Sequence, residues 1–104
     1  MKRVLVFLPD VARDFDEIWH YYEEASPQRG GDRFEAAYSE LLEQIKTGFV
    51  THRVVFAMFH RAFLRGYPYT LYYRLIDERR VVVVALLYAR FDPERTKTIL
   101  GART

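Results

Sequence analysis

The chain contains no cysteine, which excludes a disulfide framework, thiol catalysis and thiolate metal sites. A secreted protein of this length often needs disulfides, so their absence favours the reducing cytoplasm. No apolar run approaches the roughly 18–20 residues that cross a membrane. The apolar run that begins at Val4 ends at Pro9, short of the roughly 7–15 apolar residues of a signal peptide. We therefore expect a soluble, cytoplasmic protein with no membrane partner.

Motifs of the common enzyme classes are also missing. There is no glycine-rich phosphate loop and no nucleophile-elbow serine, which excludes ordinary kinases and hydrolases. The three histidines, His20, His52 and His60, are scattered along the chain. His20 lies beside two acidic residues on an amphipathic segment, where a solvated side chain is the commoner outcome. We expect no bound metal and no cofactor.

Apolar and aromatic residues are abundant. They make up 50% and 16% of the 104 residues, with eight tyrosines, eight phenylalanines and one tryptophan. A chain of this size buries roughly two-thirds of the surface that its unfolded form exposes. The composition therefore predicts one folded domain spanning residues 1–104.

Charge is divided unevenly between the two halves. The net charge is −4 over residues 1–48 (six Lys/Arg, ten Asp/Glu) and +6 over residues 49–104 (ten against four). Thirteen of the sixteen basic residues are arginine, which suits bidentate contacts with phosphate or carboxylate. The second half thus has either an ordinary solvated surface or a basic face that meets nucleic acid or an acidic protein segment.

Hydrophobic periodicity predicts a strand and two helices in the first half. A strand over residues 2–8 ends at Pro9, and Asp10 is expected to cap a helix that stops at Ser26. A second helix is expected after a loop that contains Gly30 and Gly31, and Gly48 terminates it. Because the connection is short, the helices should pack antiparallel as a hairpin.

The second half reads as strands followed by a polar end. Residues 49–59 are ambiguous between strand and loop, whereas 60–65, 69–77 and 81–88 are predicted strands. Within 69–77, alternation places Tyr69, Leu71, Tyr73 and Leu75 on one face, and Thr70, Tyr72, Arg74 and Ile76 on the other. The run 81–88 is apolar on both faces and should be a covered, central strand. Residues 92–104 form a short helix or a tail. The predicted fold is α+β: a strand, a helical hairpin and a three-stranded antiparallel meander completing a small curved sheet.

Arginine and tyrosine alternate through residues 60–92. Residues of one parity on neighbouring strands converge on one face, so several guanidinium and phenol groups could share a concavity. Such groups bind phosphates, stack bases and stabilise charge at a phosphate. They also fill half-exposed sheet faces with no functional role. The residues that we predict to bind a target or RNA are Arg61, Arg65, Tyr72, Arg74 and Arg90.

The order of these elements resembles the RelE/ParE superfamily of toxins over nearly the whole chain. The strongest likeness lies in Arg65-Gly66-Tyr67-Pro68-Tyr69, in Leu71-Tyr72-Tyr73-Arg74, and in Arg90-Phe91-Asp92-Pro93 after the valine strand. The first helix is similar in Asp14-Phe15 and Ile18-Trp19. The resemblance implies a RelE/ParE-like fold and a toxin of a type II toxin–antitoxin module, bound and neutralised by a cognate antitoxin, with which it could form a hetero-oligomer.

Members of this superfamily divide by target: RelE-like toxins cut mRNA on the ribosome without metal, and ParE-like toxins inhibit DNA gyrase. Three features depart from the nuclease pattern. Thr70 stands where nucleases often carry arginine, Tyr88 stands where histidine is frequent, and residues 92–104 contain no late tyrosine. An unperturbed tyrosine, with a pKa near 10, is a poor base at neutral pH.

The resemblance therefore favours a ParE-like gyrase inhibitor. Two alternatives stay open: a RelE-like ribosome-dependent mRNA endoribonuclease, and a degenerate, non-toxic interaction module. Whether the protein is an enzyme is also open. If it is a nuclease, the catalytic residues are Tyr88, Arg74 and Arg90.

Overall fold

A computed structural model describes residues 2–48 and 52–104, which form an α+β fold. The five strands make one sheet in the order β1-β5-β4-β3-β2. β1 pairs with β5 in parallel, and the other pairs are antiparallel. The elements in chain order are β1 (Val4–Phe7), α1 (Pro9–Ala25), α2 (Gly30–Thr47), β2 (Arg53–Phe56), β3 (Phe59–Phe63), β4 (Tyr69–Leu75), β5 (Arg80–Tyr88) and α3 (Pro93–Arg103).

The predicted helical hairpin is confirmed, but the predicted cap of α1 is wrong. Leu8 occupies the N-cap position, no side chain caps the helix, and Pro9 begins the first turn. Proline suits this position because its φ is already helical and its missing N–H would have no helical partner. Asp10 lies inside the first turn, where an acidic side chain interacts favourably with the positive end of the helix dipole.

Gly30 and Gly31 belong to α2 and not to the predicted loop. A Cβ atom on Gly30 would overlap the carbonyl oxygen of Tyr22, and one on Gly31 would overlap the indole ring of Trp19. The two glycines therefore let the helices approach each other closely where they join. Gly48 ends α2 in the left-handed conformation, with φ of 71°, as predicted.

The meander has four strands, one more than predicted. Part of the ambiguous segment 49–59 forms β2, which pairs with β3, while residues 49–51 lie outside the described part of the chain. The two strands are joined by Ala57 and Met58, both with positive φ (44° and 68°). Tight hairpins need this backbone shape, but Asn-Gly is its usual sequence, so the turn carries no local signal.

Helices cover both faces of the sheet. The face under α1 and α2, called the hairpin face, forms the larger core. On the opposite face, called the α3 face, Leu100 is the buried residue of α3. The predicted alternation in β4 is confirmed, because Leu71 and Tyr73 join the larger core and Tyr72 joins the smaller one. β5 is buried on both faces, as predicted.

A β-bulge in β5 is held by a buried ion pair. Tyr72 pairs with Ala85 and Tyr73 pairs with Val83, so Val84 is the additional residue. Oδ2 of Asp14 accepts a hydrogen bond from the Leu86 N–H (3.0 Å), and Nη1 of Arg103 donates to the Val84 carbonyl (3.1 Å). The guanidinium also binds both carboxylate oxygens of Asp14, at 2.6 and 2.8 Å. The pair therefore fastens the end of α3 to α1 and to the bulge.

Within residues 2–48 and 52–104, no helix combines the length and the apolar character needed to cross a membrane.

Candidate target-binding surface

Two arginines and a tyrosine form a row across three strands on the α3 face. Arg53 pairs with Arg61 on β3, and Arg61 pairs with Tyr72 on β4. Directly opposed residues of adjacent strands point to the same side of a sheet. The structure thus brings together two predicted site residues, Arg61 and Tyr72, and adds Arg53.

Arg61 and Tyr72 of this row line a groove of about 190 Å³ between the sheet and α3, which we call the α3 groove. Its apolar lining includes Phe56, Phe91 and Leu100, and Arg61 and Lys97 bring positive charge to it. The Nε atom of Arg61 is buried without a hydrogen-bond partner in the described chain. A buried donor left unsatisfied typically costs about 1–3 kcal/mol, so an incoming acceptor oxygen would gain by binding there.

The chemistry of the α3 groove favours binding over proton transfer. Burial raises the pKa of Tyr72, although the nearby Arg61 opposes the shift. The phenol therefore stays protonated at neutral pH and can donate a hydrogen bond, but it is a poor base. Arg61, Lys97 and the Tyr72 hydroxyl suit an anionic group attached to an apolar body, such as a glutamate beside a leucine.

Arg65 and Arg90 lie at one end of the sheet. Arg65 follows β3 and Arg90 follows β5, and both are exposed. The Ala89 N–H donates to the Pro68 carbonyl at 2.8 Å, which places the two arginine-bearing turns side by side. These residues form an exposed basic edge that a large partner can reach.

Tyr88 and Arg74 do not meet. Tyr88 pairs with Tyr69, whereas Arg74 pairs with Val82. Five steps along β4 separate the two positions, which is roughly 17 Å at about 3.4 Å per residue. They also face opposite sides: the Tyr88 ring packs on Tyr69, 6.1 Å away on the hairpin face, and the Arg74 guanidinium lies 5.6 Å from the Phe59 ring on the α3 face.

Sequence reasoning missed two cations of this surface. Arg53 lies in the segment that periodicity left ambiguous, and Lys97 lies in α3, which the sequence placed only as a helix or a tail. Lys97 is 5.6 Å from the centre of the Phe56 ring. Since Phe56 and Lys97 are 41 positions apart, only the folded structure reveals the contact.

A histidine–tyrosine cluster lies beneath the hairpin. Nδ1 of His52 is 2.7 Å from the Tyr73 hydroxyl, and Nδ1 of His60 is 2.9 Å from the His52 carbonyl. Burial raises the pKa of Tyr73 to about 12. Burial and the neighbouring His60 lower the pKa of His52. Tyr73 therefore donates to neutral His52. In the described ranges, no three His, Cys, Asp or Glu side chains gather as a metal site would require.

Comparison with known families identifies the chain. The sequence-family model named "ParE toxin of type II toxin-antitoxin system, parDE" matches residues 5–93. The chain belongs to the ParE toxin family. The matched range runs from β1 to the start of α3, so it includes the strands of the α3 face and the basic edge of this ParE-family chain, while Lys97 and Leu100 of α3 lie beyond it.

Solved structures support the same fold. One chain of the chromosomal ParDE TA system from P. aeruginosa superposes with a TM-score of 0.62 and 16% sequence identity. The match covers 86% of this ParE-family chain and 98% of the other. No curated protein matches the sequence. The RelE/ParE-like fold predicted from the sequence is thus confirmed.

Proposed function

We propose that this protein is a growth-inhibiting toxin that blocks DNA gyrase through protein–protein contacts in the cytoplasm, and that a cognate antitoxin keeps it inactive. Membership of the ParE family supports the toxin assignment. The observation that carries the choice of mechanism is the separation of Tyr88 from Arg74. Cleavage of RNA by its own 2′-hydroxyl needs a base, an acid and positive charge around one phosphate. Groups roughly 17 Å apart on opposite faces of a sheet do not supply these together.

The antitoxin is the second expected partner. The neighbour from P. aeruginosa comes from a ParDE system, and antitoxin segments of this kind commonly fold on binding. The α3 groove places Arg61 and Lys97 above an apolar floor. We therefore expect an acidic, amphipathic antitoxin segment to bind on this face, giving a toxin–antitoxin hetero-oligomer.

The mechanism is tested by two parallel assays of the purified protein. One measures DNA supercoiling by gyrase, and the other measures ribosome-dependent cleavage of a transcript. We expect wild-type protein to block supercoiling and to leave the transcript intact. Tyr88→Phe deletes only the hydroxyl and should block supercoiling nearly as well. Transcript cleavage that Tyr88→Phe abolishes, by about 10²–10³ in rate, would establish the nuclease alternative instead. Failure of both assays, with no growth defect on expression, would favour the non-toxic interaction module.

The basic edge is tested by charge reversal. Arg65→Glu combined with Arg90→Glu should abolish toxicity while circular dichroism stays normal, because two exposed fork-shaped donors are replaced by acids. Arg29→Glu combined with Arg33→Glu makes the same change in net charge at exposed positions around the start of α2. This control should remain toxic. Full toxicity of the Arg65/Arg90 variant would show that these arginines are ordinary solvated residues.

A further inference from the structure

A second groove lies on the other side of α3, between α1 and the ends of β4 and β5. We call it the tyrosine groove. It holds about 420 Å³, and Glu17, Tyr21, Tyr69 and Tyr88 are among its lining residues. It is distinct from the α3 groove, where Arg61 and Lys97 lie, although Phe91 borders both grooves. The α3 groove is basic, whereas the tyrosine groove carries negative charge.

Three phenol rings surround this space. Tyr21 is 63% exposed and Tyr88 is 37% exposed. The rings of Tyr69 and Tyr88 are 6.1 Å apart, at an interplanar angle of 65°. Tyr21 and Tyr69 line the same space. Burial, and to a smaller extent the Tyr21 phenol, raise the pKa of Tyr69, so its hydroxyl stays protonated. Open aromatic faces of this kind attract cations.

The charge of the groove is also suited to a cation. Its lining contains two carboxylates, Asp14 and Glu17, and one guanidinium, Arg103. Asp14 and Arg103 bind each other, so the Glu17 carboxylate remains exposed and without an ionic partner in the described chain. α1 itself carries six acidic residues and one arginine. The surface around the groove is therefore negative, although the chain has a net charge of +2. It suits a cationic partner, whereas the α3 groove suits an anionic one.

The floor of the groove is apolar, and its border already stacks a guanidinium. Ile18, Leu86 and Ile99 line the floor. The guanidinium of Arg95 lies 4.0 Å from the centre of the Phe91 ring, which borders the groove. The Phe91 ring is therefore already paired with a cation, whereas the rings of Tyr21 and Tyr88 remain partly open.

We propose that the tyrosine groove binds a protein segment that inserts an arginine side chain next to an aliphatic one. The planar guanidinium stacks on the tyrosine rings and makes a forked contact with the Glu17 carboxylate. Lysine, a compact and strongly hydrated point charge, makes neither contact as well. The aliphatic neighbour covers the apolar floor, which distinguishes a peptide from free arginine. Binding at this site does not require that the protein inhibits gyrase.

The test is a titration of the ¹⁵N-labelled protein, followed by amide NMR, with the blocked tripeptide Leu-Arg-Leu. We expect a dissociation constant of about 1 mM, typical of a weak contact, with the largest shifts at Glu17, Tyr21 and Tyr88. The matched peptide Leu-citrulline-Leu keeps the shape and removes the charge, and it should bind several-fold more weakly. Free arginine should also bind more weakly, because it lacks the aliphatic groups. Equal binding of the arginine and citrulline peptides, binding of free arginine as tight as the peptide, or shifts confined to another surface would overturn the proposal.

Two exposed substitutions test the named contacts. Tyr21→Ala should weaken binding of the arginine peptide about two- to fivefold. Glu17→Gln should remove most of the preference for arginine over citrulline. Glu24→Gln makes the same charge change at another exposed position of α1 and should leave both affinities unchanged. If Glu24→Gln weakens binding as much as Glu17→Gln, the attraction comes from the overall charge of α1 and the specific site does not exist.

Discussion

Loss of one partner of the ion pair between Asp14 and Arg103 should strongly destabilise the protein. The side chains are 11% and 15% exposed, and the closest N···O distance is 2.6 Å. Removing one partner of a buried pair costs about 3–5 kcal/mol when the other charge loses its compensation. Without Asp14, the guanidinium of Arg103 keeps only the half-exposed carboxylate of Asp10, 3.3 Å from its Nε atom. Asp14→Ala also removes the acceptor of the Leu86 N–H. We therefore expect Asp14→Ala to lower the free energy of unfolding by about 4 kcal/mol, a large fraction of the roughly 5–15 kcal/mol of a typical domain.

Urea denaturation followed by circular dichroism measures this loss. With a slope of about 1.5 kcal/mol per molar urea, the midpoint should fall by roughly 3 M. Asp14→Asn, which keeps one acceptor oxygen, is the milder variant if Asp14→Ala does not fold. The control is Glu43→Gln, which breaks an equally short ion pair between Lys2 and Glu43 (2.7 Å) whose side chains are 63% and 53% exposed. The midpoint of this control should stay near that of the wild type.

A double-mutant cycle isolates the coupling between the two residues. Arg103→Met should destabilise the protein because it leaves the Asp14 carboxylate buried and less compensated. Asp14→Asn combined with Arg103→Met should cost clearly less than the sum of the two single changes, since neither charge remains unpaired. Additive effects, or an Asp14→Asn midpoint equal to that of Glu43→Gln, would refute the reasoning from burial.

Two further predictions concern a glycine and a histidine. Gly30→Ala should destabilise the protein by more than about 1 kcal/mol, because its Cβ would overlap the Tyr22 carbonyl oxygen. In Gly101→Ala, the added Cβ atom in α3 meets nothing within 4 Å, and this change should stabilise the protein by about 0.5–1 kcal/mol. Thermal melts of both variants test these two expectations. Equal changes in melting temperature would contradict the close approach of α1 and α2. His52 has a lowered pKa in the folded protein, so the unfolded chain takes up a proton first as the pH falls below about 6.5. The free energy of unfolding, measured with urea, should decrease from pH 7.5 to pH 5.5 more steeply in the wild type than in His52→Gln. An equal decrease in both proteins would show that His52 does not contribute.

Local sequence patterns correctly predicted the elements in which buried side chains recur at a regular spacing. The side-chain period of a strand is two, so the alternation in β4 correctly separated Leu71 and Tyr73 from Tyr72. Gly48 was predicted because only glycine readily takes the left-handed end of a helix. The same local reasoning was wrong at Gly30, whose role depends on the neighbouring helix and not on its own backbone preference.

Contacts between distant parts of the chain escaped prediction. Asp14 and Arg103 are 89 positions apart, and nothing in a sequence marks them as partners. Arg74 and Tyr88 were grouped because both lie among arginines and tyrosines, but the register of β4 and β5 separates them. Arg61 and Tyr72, both predicted binding residues, are neighbours on the α3 face, whereas the cations beside them became visible only with β2 and α3 in position.

The bulge at Val84 also sets the direction of everything that follows it in β5. In an uninterrupted strand, residues of equal parity share a face, and Tyr88 would point to the same side as Val82 and Val84. The additional residue reverses the parity, so Tyr88 opens towards α1 instead. If the same sequence formed a regular strand, with Val84 paired in place of Ala85, the last four residues would exchange faces, turning Leu86 out of the larger core and Tyr88 towards α3. The single bulged residue in a run of valines thus determines which of two oppositely charged grooves Tyr88 lines.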